Sequence, residues 1–150
     1  MENFALRPKS DYMNTAGFES LAVLTERWQS NLDFYKDEIR FLHSLISKYF
    51  IWLTHEDNVS KVQQLAAKVS EVDKERGRLS QTVAKHMGHL TLLMENAYTH
   101  DEQTFREEHA KLEDELSAFV KAFRSIKQEV FQVTERVIES EKLNRLIAAE

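Results

Sequence analysis

Three histidines and one glutamate are the residues of this chain best suited to chemistry. His86 and His89 stand three apart, which places them on one side of a helix. His109 and Glu113 stand four apart in a later segment, again on one side. Imidazole nitrogens and carboxylates ligate transition metals, and helical bundles assemble such sites from facing helices. A metal-binding bundle using His86, His89, His109 and Glu113 is therefore one reading of the sequence. The residue spacing weighs against it. Di-iron carboxylate bundles use Glu-x-x-His pairs, whereas Val83, His86 and Arg106 stand three residues before the three histidines here. No His-Glu-x-x-His zinc helix occurs. The alternative is a core histidine with a hydrogen-bond partner, and no cofactor is expected.

Other chemistry finds little support. The chain has no cysteine, so thiolate ligands and cysteine nucleophiles are ruled out. It has no Gly-rich phosphate loop and no Gly-x-Ser-x-Gly elbow. His55 and His100 sit beside acids in two junctions expected at opposite ends of the bundle, so they cannot share a site. His43 lies off the apolar stripe and reads as surface. The expectation is a protein that is not an enzyme.

Apolar spacing defines the elements that would carry these residues. Trp28, Leu32, Tyr35, Ile39, Leu42, Ile46, Tyr49 and Leu53 advance in alternating steps of four and three, the mark of one helix face. Extended backwards, the stripe takes in Thr25, Leu21 and Phe18. A second stripe runs through Val62, Leu65, Val69, Val72, Arg76, Leu79, Val83, His86, Leu90, Leu93 and Ala97. A third runs from Phe105 and His109 through Leu116, Phe123, Val130 and Val133 to Ile147. Three glycines and one proline in 150 residues leave long helices nearly uninterrupted. Thr54 with Asp57, and Thr99 with Glu102, resemble capping boxes at the two junctions. Gly77 weakens its helix locally, so a kink is expected near 73–78.

The fold class is therefore all-α: a long antiparallel up-down-up three-helix bundle with coiled-coil character, expected to dimerise. Residues 1–14 form an N-terminal arm and 15–150 the bundle, with helices at about 16–53, 57–98 and 102–147. The plan, with a tryptophan in the first helix, resembles spectrin-type repeats in architecture, with longer helices. That likeness implies no particular function.

Folding the chain at about 55 and 100 sets Thr25 level with His86 and Glu115, and Tyr35 level with Arg76. Thr25, His86, Tyr35 and Arg76 are thus expected as polar layers that fix register. Either Thr25 or Glu115 would satisfy His86. Arg76 could equally bury its stem and send its head to water.

Net charge is −5, with both signs interspersed, so no phosphate-tracking surface and no nucleic-acid partner are expected. The longest apolar run, Tyr49–Leu53, is far too short to cross a bilayer. It could touch a membrane surface, although no basic face supports that role. The start of the chain lacks a signal-like apolar core, which suggests a soluble, cytoplasmic protein.

The functional signal is surplus apolar surface. Beside its main stripe the first helix carries Phe34, Phe41, Leu45, Phe50, Ile51 and Trp52, and Phe131 of the third helix falls level with Phe41. Aromatic patches of this kind serve as anchors for partners. The sequence therefore points to a non-enzymatic interaction or scaffold protein, self-associating as a homodimer or binding another protein.

Overall fold

A computed structural model of the chain describes residues 17–49, 59–95 and 102–148; for residues 137 and 140–148 it describes the backbone alone. The described residues form three helices: α1 (Phe18–Lys48), α2 (Val59–Met94) and α3 (Glu102–Ala148). Among them there is no strand. The arm, the first capping box, Thr99 of the second, His55, His100 and residues 50–53 lie outside the described residues.

α1 begins at Phe18, the first residue of its apolar stripe. The Gly17 carbonyl accepts the Leu21 N–H at 3.1 Å, the first backbone hydrogen bond of the helix among the described residues. Glu19 in the first turn and Lys48 in the last both complement the helix dipole. α2 continues through Gly77 as one helix.

The chain divides into two compact units, and all three helices contribute to each. The first comprises residues 17–36, 74–95 and 102–121; the second comprises 37–49, 59–73 and 122–148. In the first unit α1 and α3 run in the same direction. Phe18 meets Phe105, Trp28 meets His109, and Tyr35 meets Phe119. α2 runs opposite to α3, since Arg78 reaches Glu115 while His86 reaches His109. That is the up-down-up order. Leu21, Leu32, Leu79, Leu90, Phe105 and Leu116 are fully enclosed there.

The second unit buries Ile39, Leu42, Ile46, Val62, Leu65, Val69, Phe123 and Val130. Ion pairs tie its helices along the edges. Lys127 of α3 donates to Glu38 of α1 at 2.9 Å, and Lys68 of α2 to Glu129 of α3 at 3.2 Å. These pairs are substantially solvated and contribute about 1 kcal/mol or less each. The third stripe changes phase here. Thr134 is buried, its hydroxyl donating to the Val130 carbonyl at 2.9 Å, while Val133 is only half-buried. A 3.6-residue helix drifts by about 20° per heptad against a strict seven-residue pattern, which carries position 134 inward.

The register differs from the one read off the sequence. In the first unit Trp28 meets His109 and Tyr35 meets Phe119, instead of residues near 118 and 125, whereas in the second unit Glu38 pairs with Lys127, close to the expected level. Assumed fold points count Cα steps. The actual register follows the seating of large rings.

Two outcomes follow. Leu32 is completely buried, so Leu32→Ala should lower unfolding free energy by about 2–5 kcal/mol in urea titration. A Cβ at Gly77 or Gly88 would meet nothing within 4 Å. Gly77→Ala and Gly88→Ala should therefore each stabilise the chain by about 0.5–1 kcal/mol.

Candidate functional site

The strongest concentration of chemistry lies in the first unit, where α2 and α3 bring two histidines into the core. His86 is 4% exposed and His109 is 0% exposed. Both occupy apolar-stripe positions, so helix geometry alone aims them inward. Their rings join by a hydrogen bond of 2.7 Å between His86 Nε2 and His109 Nδ1. One ring must donate N–H and the other present a bare nitrogen.

Aromatic faces enclose the pair. The His86 ring stacks on Phe105 with centroids 4.3 Å apart and planes 3° apart. Trp28 of α1 stacks on His109 at 4.5 Å and 26°. Phe18 closes the far side of Phe105 edge-on, at 6.3 Å. Such ring contacts contribute about 0.5–1.5 kcal/mol each beyond area burial. They also remove water from the imidazoles. Burial, reinforced by the charge of His89, pushes the His86 imidazole down to about 4. The His86 ring is thereby favoured as a neutral species at neutral pH.

A cleft of about 290 Å³ opens between α2 and α3 over His86. His89, Lys85 and Arg78 line one wall, and Glu108, Lys111 and Glu115 the other. Arg78 is fixed by its own helix, donating from Nε to Glu75 at 3.1 and 3.2 Å. It also crosses to Glu115 at 3.3 Å. The Arg78 guanidinium beside it holds the Glu75 carboxyl below the usual carboxylate range.

The polar layers expected from sequence are partly rearranged. Thr25 is buried, but its hydroxyl donates to the Leu21 carbonyl at 2.7 Å, the usual way a helix-interior threonine satisfies itself. Glu115 accepts from Arg78. Neither is the partner of His86; His109 is. Tyr35 is buried and packs edge-on against Phe119 at 5.4 Å. Arg76 is half-buried, not a core member.

The four residues considered for metal binding do not form a ligand set. His86 and His109 turn bridging nitrogens toward each other, which uses the lone pair of the accepting ring. His89 lines the cleft, and Glu113 is buried one turn beyond His109 on α3. Among the described residues no group of three or more such side chains is placed to hold a metal ion.

Arg106 was not singled out by the sequence pattern. It is 8% exposed, donates to Glu102 at 2.9 and 3.1 Å, and lies 5.1 Å from the Phe18 ring centroid. The Glu102–Arg106 spacing of four was the available signal.

The surface aromatics divide between the units. Phe34, in the first, is 48% exposed. Phe41 and Phe131, in the second, are 54% and 39% exposed, and Leu45 is half-buried. Phe50, Ile51 and Trp52 lie outside the described residues.

Removing one member of the histidine pair leaves the other with an unmet buried nitrogen. His109→Leu and His86→Leu should each cost about 1–3 kcal/mol at pH 7.5. The double replacement should cost less than the sum, by about 1–2 kcal/mol in a double-mutant cycle. Equal additive losses would show that the rings do not interact. Among the described residues, no helix is long and apolar enough to cross a membrane. The chain matches no protein-family model, no curated protein and no solved structure.

Proposed function

We propose that this protein is a non-enzymatic interaction protein that self-associates through the flank where α1 meets α3 in the second unit. The observation that carries this reading is the exposure of two phenylalanine rings, Phe41 and Phe131, on that flank. The Glu38–Lys127 ion pair marks the edge between the two helices. Phe41 lies three residues from Glu38 and Leu45 seven, so both share its side of α1. Phe131 lies four residues from Lys127 on α3, and the Lys127 ammonium is 5.7 Å from its ring centroid.

An isolated exposed apolar residue needs no explanation, whereas a cluster of aromatics on one edge is characteristic of contact surfaces. Phenylalanine anchors of this kind dominate interface energetics when enclosed by a partner. A twofold homodimer is the commonest way to cover such an edge. The seven-residue apolar repeats support a coiled-coil-like mode of helix packing.

The reading has a direct test. Phe41→Glu combined with Phe131→Glu should abolish dimer mass by light scattering while leaving helicity by circular dichroism unchanged, because neither ring belongs to the core. A wild-type protein that stays monomeric at high concentration would refute self-association.

A further inference from the structure

We propose that the His86–His109 hydrogen bond is a proton-sensitive latch that holds α2 to α3 in the first unit and opens in acid. The argument starts from proton counting. Two neutral imidazoles carry two ring protons between four nitrogens. The closed pair needs one bare nitrogen at its bridge. A third proton can sit on a nitrogen facing away from the bridge. A fourth would place two N–H groups head to head across 2.7 Å. The closed pair therefore holds one positive charge at most, whereas separated rings hold two. Opening takes up at least one proton in acid, whichever ring is charged first, so falling pH must favour it.

The surroundings make even the first charge costly. Phe105 and Trp28 cover the two rings, and neither imidazole is more than 4% exposed. From α2, Arg78, Lys85 and His89 face the site; from α3, Lys111 does, with Arg106 one turn before His109. All of these disfavour an imidazolium when charged. Glu108 and Glu115 on α3 oppose them, but Glu115 is engaged by Arg78. Buried Glu113, one turn past His109, is the carboxylate best placed to support a single charge there. α1 contributes the uncharged Trp28 ring at the pair, with exposed Glu26 and Arg27 just before it in sequence.

The direction follows. His86 has its folded-state value lowered to about 4 from 6.5. Its contribution to stability is complete above about 6.5 and is lost as pH falls toward 4, because the open form binds the proton more tightly. The cleft over His86 provides the route by which water reaches it. The latch is specific to one unit. Of the histidines among the described residues, His86, His89 and His109 belong to the first, and half-buried His43 to the second.

Amide hydrogen exchange on the full chain, corrected for the intrinsic pH dependence of exchange, tests the proposal. Between pH 7 and pH 4 the opening constant of α2 and α3 amides in the first unit should rise on the order of 100-fold. Amides of residues 62–72 in the second unit should change several-fold at most. The double variant His86→Leu with His109→Leu should flatten the first-unit response. Should that variant not fold, the ring signals of His86 and His109 in the wild type decide the matter. Uptake of a second proton by the pair concurrent with first-unit opening supports the latch. Protection in the first unit that is constant down to pH 4 overturns it. So does equal loss in both units, a pH response that survives in the double variant, or double protonation of the pair without opening.

Discussion

A polar ring carried into an apolar seam has to find its hydrogen-bond partner inside that seam. His86 and His109 occupy stripe positions on two helices that run in opposite directions, and they satisfy each other at 2.7 Å. Sliding α2 along α3 by one turn would leave two buried nitrogens unpaired, at about 1–3 kcal/mol each. Apolar side chains impose no comparable penalty, since one leucine packs nearly as well as the next. The imidazole pair therefore selects one register among several that hydrophobic burial alone would tolerate. Trp28 and Phe105 add shape to that choice by stacking on opposite members of the pair.

The two units solve the same packing problem with different materials. In the first, rings dominate: Phe18, Trp28, Tyr35, Phe105, Phe119 and the two histidines make a core whose geometry is directional. In the second, aliphatic side chains and Phe123 fill the interior, and the edges carry Lys127–Glu38 and Lys68–Glu129. Solvated ion pairs contribute little net stability. The second unit also leaves Phe41 and Phe131 substantially exposed. The histidine pair thus belongs to one unit, and the exposed Phe41 and Phe131 rings to the other. That separation is what allows a proton response in one unit to be examined apart from association through the other.

Much of the fold was legible in the chain, and the reason is the regularity of helices. A stripe in alternating steps of three and four names both the element and its buried face. Trp28, Leu32, Tyr35, Ile39, Leu42 and Ile46 were assigned to the interior on that basis, and all six are buried. The exceptions have local causes. Val133 gave way to Thr134 because a helix drifts against a seven-residue pattern. Arg106 escaped notice because charged residues are assigned outward by type, yet it is only 8% exposed. Arg106 meets that cost through Glu102 and the Phe18 ring.

Sequence alone determined that three helices form, which face of each turns inward, and that His86 and His109 both lie on inward faces. It also marked Phe34, Phe41, Leu45 and Phe131 as apolar residues beyond the needs of one stripe. Tertiary structure decided which inward residues meet. Thr25, level with His86 by counting, turned to its own backbone, and His109 became the partner of His86. Periodicity specifies the rotational setting of a helix about its axis. It carries no information on translation along that axis, which is settled by how large rings and buried polar atoms fit across the interface.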